Sequence, residues 1–245
     1  MKKARRLLLV GLLVTLIWGE VTGVAGADSG RSVGTVTVVA GSVSVTRAPS
    51  APQPLKPGDR LFWRDVVTVG KDSIARFVLG GKITVTVREL SRVELREEVM
   101  TAGVRYTVEL ISGKVRASVA RMLMRPDEQV AVRTRNAVAS VRGTDFIVET
   151  RERRPAAALS FGLLGAPSVT PGPGAGGVEA AVETGVVTLS GLVEVSNQLG
   201  STDHVGRIGA LEAVRVSGGQ NPTRLQVPAD ELKVHLKGLA LPGPQ

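Results

Sequence analysis

Only two histidines occur in this chain, and one of them, His204, directly follows Asp203. A carboxylate beside an imidazole is the start of a base-and-orienter pair, the arrangement that activates a serine or a water for hydrolysis. The spacing argues against it. Neighbouring residues on a strand face opposite sides, and the chain has no Gly-x-Ser-x-Gly turn to present a nucleophile. Asp203 and His204 are therefore read as part of a surface loop, and a hydrolase with an unfamiliar site is the least favoured reading. No cysteine is present, so disulfides, thiol nucleophiles and thiolate metal sites are excluded. No metal-ligand spacing, phosphate-cradling glycine motif or dinucleotide fingerprint occurs. The acids are scattered, and spacing singles out no pair for glycoside hydrolysis. The expectation is a protein that is not an enzyme and uses no cofactor and no metal.

What remains to position is a binding surface, and charge narrows its partners. The whole chain carries +9. The first 27 residues hold four basic side chains and one acid, which leaves the rest near +6. Such a surplus is either a solvated, arginine-rich surface or an attraction to anionic envelope polymers and lipid headgroups. Nucleic acid is not expected, because the basic residues are evenly spread and do not interleave with aromatic ones.

The N-terminus sets the compartment. Lys2, Lys3, Arg5 and Arg6 precede an apolar run from Leu7 to Trp18, and Ala25-Gly26-Ala27 places small residues where a signal peptidase reads. This is the layout of a secretory signal over residues 1–27, with cleavage expected after Ala27 and an uncleaved anchor as the alternative. The run is shorter than the ~20 residues a spanning helix needs. No cysteine follows it, so a lipid anchor through a lipobox is ruled out. The mature protein is expected in the periplasm or outside the cell.

Beyond the leader, period-two alternation dominates. Val36 and Val38 alternate with Thr35 and Thr37, and Val43 and Val45 follow a break at Gly41. Ile83, Val85 and Val87 repeat the pattern, as do Tyr106, Val108 and Leu110, and then Val115, Ala117 and Val119. The runs are short, β-branched and bounded by glycine or charged turns, which predicts about a dozen strands of an all-β domain. Helical spacing is nearly absent, apart from a possible turn near Met122 to Asp127 and an ambiguous segment at 229–237. Only four Phe, two Trp and one Tyr are available. A core of small aliphatic side chains favours a rolled or solenoid-like sheet, with a β-sandwich as the alternative. Residues 28–152 are read as the first part of this domain and 179–227 as its continuation. The Pro/Gly/Ala-rich stretch 153–178, which contains Phe161, Leu163 and Leu164, is an insertion between two strands. Residues 228–245 are a tail. A weak internal echo is present: Gly34 to Val38 and Gly185 to Leu189 each open a strand–Gly–strand pair, the second turning at Gly191.

Two short segments concentrate special residues. In Leu55-Lys56-Pro57-Gly58-Asp59-Arg60-Leu61, Gly58 can take the positive φ of a tight turn and the Asp59 carboxylate can accept a backbone N–H. In Val141-Arg142-Gly143-Thr144-Asp145-Phe146, Gly143 lets the backbone bend or approach a neighbour closely, and Thr144 can satisfy a freed backbone group. Phe146 and Val148 then resume the inward face. Arg142 is either solvated or a partner contact.

The order of these segments is more telling than any one. Gly-x-Val-x-Val-x-x-Gly-x-Val-x-Val-x-Arg opens at Gly34. The Leu55 turn, Asp65 to Val69, Asp72 to Lys82, Ser91 to Leu95, Leu110 to Val119 and Val132 to Val148 follow. This series, from about Gly34 to Val216, resembles the FecR domain. The resemblance implies an envelope-side β module used in sensing or protein contact. In the regulators for which the domain is named, it lies outside the cytoplasmic membrane and receives a signal from an outer-membrane receptor. It also implies a preceding cytoplasmic sigma-factor-binding arm, which is not expected here because only a few residues precede the apolar run. The resemblance therefore implies that Gly58, Asp59, Arg142, Gly143, Thr144 and Phe146 serve the fold or a contact, and that the partner is another envelope protein. An anionic surface polysaccharide is the alternative partner. The sequence leaves the oligomeric state open.

Overall fold

A computed structural model describes residues 32–101, 103–153, 181–198 and 206–225. The leader, the 153–178 insertion beyond Arg153, the tail, Asp203-His204 and His235 lie outside the described residues.

The architecture is all-β, and β-branched alternation explains why. β1 (Gly34–Ala40) turns at Gly41 into β2 (Val43–Thr46), and a loop carrying β3 (Gln53–Pro54) and β4 (Arg60–Leu61) leads to β5 (Val66–Val69). β6 (Ile74–Leu79) and β7 (Ile83–Val87) form a hairpin, followed by β8 (Ser91–Met100) and the long β9 (Gly103–Val119). One 3-10 turn, Arg121–Leu123, precedes β10 (Glu128–Arg133), β11 (Ala137–Val141) and β12 (Asp145–Arg153). The chain continues with β13 (Ala181–Ser190), β14 (Val193–Asn197), β15 (Gly206–Ile208), β16 (Ala213–Ser217) and β17 (Thr223–Leu225).

These strands form two ladders joined through β9. One runs β4-β1-β6-β7-β9-β12-β13-β16-β17. The other runs β3-β2-β5-β8-β9-β10-β11-β14-β15. All pairings are antiparallel except β9 with β10. The N-terminal half of β9 pairs with β8 in one ladder, and its C-terminal half pairs with β7 in the other. What reads as two runs in the sequence is thus a single strand bent at Gly113. β12 pairs with β13 from Asp145 to Arg153, so the strands on either side of the insertion are neighbours.

A single apolar cluster fills the space between the ladders. Val43, Val67 and Val93 enter it from one side, and Phe77, Val85, Ala117 and Phe146 from the other. Phe77 and Phe146 are its largest fully buried side chains. Each buried Val or Phe contributes ~1.5–3 kcal/mol. One expected inward residue departs: a register shift between Val36 and Val38 in the β1–β6 pairing changes the phase. Val39 packs against the core in consequence, and Val38 is left half-buried.

The bends between ladders repeat a device. At Gly41 (φ +78°) the Ser42 N–H donates to Ser73 Oγ at 2.9 Å, and that hydroxyl donates to Lys71 O. At Gly113 (φ +90°) the Lys114 N–H donates to Ser91 Oγ at 2.9 Å, and that hydroxyl donates to Glu89 O. A bend frees backbone groups from the ladder, and a serine from the next bend satisfies them. Polar clusters sit at opposite ends of the strands. At one end Asn136 Nδ2 donates to Val182 O and Val216 O, and its Oδ1 accepts from Thr184 Oγ1 at 2.6 Å. At the other, the half-buried Lys82 ammonium sits 2.5 Å from the buried Glu128 carboxylate, joining the β6–β7 hairpin to β10. Among the described residues, no helix is long and apolar enough to cross a membrane.

Candidate functional site

Beside the Lys82–Glu128 pair, three chain segments converge. The 3-10 turn brings Arg121, the β11–β12 bend brings Arg142 to Thr144, and the β13–β14 bend brings Gly191 and Leu192. Their approach depends on missing side chains. A Cβ on Gly143 (φ +153°) would lie 2.4 Å from Arg121 Cβ. A Cβ on Gly191 (φ +85°) would lie 2.9 Å from both Gly143 O and Thr144 Oγ1. With both absent, Thr144 Oγ1 donates to Leu192 O at 2.8 Å, and Thr144 O accepts from the Val119 N–H at 3.0 Å. Phe146 is fully buried directly behind, anchoring the bend in the core.

The stacked bends border a cleft of about 550 Å³ whose lining includes Arg121, Gln129, Ser140, Arg142, Leu192 and Glu194. Its size is that of a ligand or peptide pocket. Arg121 and Arg142 are both exposed, and neither has an ion-pair partner among the described residues. The Glu194 carboxylate is already shared with Arg207 at 3.0 Å. The cleft therefore carries a local positive surplus. Leu192 is 51 % exposed at its rim. The set offers charge, hydrogen bonds and an apolar contact.

The Lys82–Glu128 pair stiffens the wall. Burial pushes the Glu128 carboxyl up, yet the Arg125 backbone N–H at 2.8 Å and the Lys82 ammonium outweigh it and hold the group below the ordinary carboxylate range. Tyr106 stands 3.4 Å away through its hydroxyl, and its ring faces Lys82 at 5.4 Å.

A second cleft, about 530 Å³, has Trp63, Arg64, Glu94, Arg96, Glu97 and Glu98 along its walls. Its charges are largely matched. Arg96 is bound by Glu94 at 2.9 Å and Glu109 at 2.8 Å, and Glu98 bridges Arg105 and Arg133. The Glu94 hydrogen bond to Arg96 raises that guanidinium's already high pKa. A network with most of its charges paired, and one arginine and one glutamate left to offset each other, has less to offer a charged partner than two guanidinium groups unmatched among the described residues.

The sequence-derived residues fall in two places. Arg142, Gly143 and Thr144 line the first cleft and Phe146 supports it. Gly58 and Asp59 form a turn at the far edge of the same ladder. There the Gly58 N–H donates to Val36 O, and Asp59 Oδ2 accepts from the Lys56 N–H at 2.7 Å. Four strands, β1, β6, β7 and β9, stand between β4 and β12, a gap of ~24 Å at the usual strand spacing. The structure does not bring the two segments together. Arg121, Gln129, Ser140, Leu192 and Glu194 escape sequence reasoning. The one trace is that Gly191 belongs to the internal echo and Arg121 adjoins the turn anticipated near Met122.

The geometry defines an all-β module with a basic cleft at a row of glycine bends. The family model described as FecR protein matches residues 65–164, a span that takes in β5 through β12 and the Gly143 bend. The match is narrower than the motif series, leaving out the Gly58 turn and β13 through β17. No curated protein matches the chain. Two crystal structures of a candidate anti-sigma factor from Parabacteroides distasonis ATCC 8503 are similar at 17 % identity and a TM-score of 0.47, covering 71 % of this chain. The chain spans 65 % and 64 % of the length of those two chains.

Proposed function

We propose that this chain is an exported FecR-like module that binds another protein of the bacterial envelope, in signal reception or assembly, and catalyses no reaction. The observation that carries the reading is the FecR family match, whose span contains the Val141–Phe146 segment, together with the position of that segment on an open cleft. The N-terminal leader supports export. The domain reading, with residues 28–152 and 179–227 as one unit around the insertion, is supported by the β12–β13 ladder.

Two measurements test it. A fusion of residues 1–40 to alkaline phosphatase should be active only if the leader exports it. A photo-crosslinking amino acid placed at Arg142 in the producing cell should give a discrete adduct with one protein. An inactive fusion overturns the location, and labelling of no protein from any rim position overturns the binding role.

The second reading is an anionic surface polysaccharide. The unmatched Arg121 and Arg142 favour it as much as they favour a protein, whereas the low aromatic content speaks against stacking on sugar faces. Salt-sensitive retention on alginate would support it. The hydrolase reading rests on Asp203-His204 alone, and an activity that persists in His204→Ala would remove it.

A further inference from the structure

Met122 is 98 % exposed, Leu123 58 % and Leu192 51 %, all within or beside segments that carry Arg121 and Arg142. Exposed apolar side chains next to unmatched cations are costly to leave in water and are the composition of a recognition surface. The surface is concave. Gly143 and Gly191 permit the Arg121 turn and the two bends to stack so closely that a trough opens between them. The walls are rigid, since β11 and β12 are ladder strands and Thr144 ties one bend to the next. A rigid, positive, partly apolar trough suits an extended chain whose carboxylates meet the guanidinium groups while an apolar side chain rests on Leu192.

We infer that the Arg121–Arg142–Leu192 cleft is a docking site for an acidic, leucine-containing peptide segment of a partner protein. The inference rests on the protein-binding role proposed above and adds the surface and the chemistry of what it takes. Charge complementarity selects the occupant: both cations are unpaired among the described residues, and the single carboxylate lining the cleft is already engaged by Arg207. Concavity separates a peptide from a bilayer. A flat lipid surface could touch Met122 but could not enter the trough to reach the groups between the bends.

The test uses the purified full chain and fluorescein-labelled octapeptides. One carries Glu-Leu-Leu-Glu at its centre and the other Lys-Leu-Leu-Lys. Anisotropy at low ionic strength is expected to show binding of the acidic peptide and at least ~tenfold weaker binding of the basic one. Raising salt should weaken the complex, since charges beyond ~10 Å are screened at 0.1 M. Arg121→Glu/Arg142→Glu should lose ~tenfold or more for the acidic peptide and gain affinity for the basic one. Arg151→Glu, an exposed change away from the cleft, should alter neither. Circular dichroism of each variant verifies folding, and both cleft arginines are exposed, so the double variant is expected to fold. No preference for the acidic peptide, or a preference untouched by the double reversal, overturns the site. Equal or tighter binding of phosphatidylglycerol vesicles or alginate, lost in the same variant, overturns the peptide as occupant. In either case a protein adduct in the cell would leave the general binding role standing, whereas absence of adducts with intact peptide binding would remove that role and spare the cleft chemistry.

Discussion

Replacing Gly143 by alanine adds one methyl group at a place with no room for it. Its carbon would lie 2.4 Å from Arg121 Cβ, 2.7 Å from Arg121 Cγ and 3.0 Å from Arg121 Cα. Ordinary carbon contacts are ~3.5–4.0 Å, so the overlap with Cβ is ~1 Å. Two of the three atoms belong to or adjoin the backbone, and the 3-10 turn that holds them is fixed between β9 and β10. Rotating the Arg121 side chain away does not relieve the clash. The backbone at φ +153° adds ~1–3 kcal/mol of conformational cost and the collision ~1–3 kcal/mol more, giving ~2–6 kcal/mol together. At ~2–4 °C per kcal/mol, thermal unfolding followed by circular dichroism should fall by at least ~4 °C. Gly143→Val should fall further. Two other glycines separate the causes. Gly58 has φ +91° but nothing within 4 Å of its Cβ position, so Gly58→Ala should cost only the conformational ~1–2 kcal/mol. Gly185 has no positive φ and open space, so Gly185→Ala should be neutral or stabilising by up to ~1 kcal/mol. If Gly143→Ala melts no lower than Gly58→Ala, contact with Arg121 is not what demands glycine, and the account of the cleft's stacked bends fails.

Lys82→Met should cost ~3–5 kcal/mol by leaving the Glu128 carboxylate buried without its counter-charge, whereas Lys82→Met/Glu128→Leu should lie near wild type in urea denaturation; equal losses in both would contradict the pairing. Glu128 and Glu149 both titrate below the ordinary carboxylate range. For Glu149, burial pushes up but Lys114 and Arg151 pull down more strongly. Their stabilisation is thus complete above the unfolded-state pKa and is lost as pH falls through the folded one, so the melting temperature should drop on acidification below about pH 4.5, less steeply in Glu128→Gln. Asn136→Ala should cost ~3–5 kcal/mol in urea denaturation, because Val182 O, Val216 O and the Thr184 hydroxyl lose a buried partner together. Thr188 is fully buried and its Oγ1 has no hydrogen-bond partner among the described residues, so Thr188→Val should raise stability by ~1 kcal/mol; a lower melting temperature would show that the hydroxyl is satisfied in solution.

The special residues of the Val141–Phe146 segment are legible because backbone strain has few chemical solutions. A glycine followed by a hydroxyl and a large apolar residue announces a bend, a repair of its backbone and a return to the core. The cleft itself is not legible. Arg121, Arg142 and Leu192 come from three segments, and Leu192 lies 50 residues beyond Arg142 across a Pro/Gly-rich insertion. Nothing local to any of them reports the others.

The amino-acid order on its own determined the class of fold and most inward-facing residues, because period two is a property of each strand alone. Val85, Val108, Ala117, Phe146, Val193 and Val195 are fully or almost fully buried, as alternation requires. Tertiary structure decided the rest. It made one bent strand of 103–119, shifted the phase in β1, and placed the Gly58 turn four strands from Gly143. It also decided which arginines are matched by carboxylates and which are left open. Pairing register and charge partnership depend on distant segments meeting, and only the folded ladders bring those segments together.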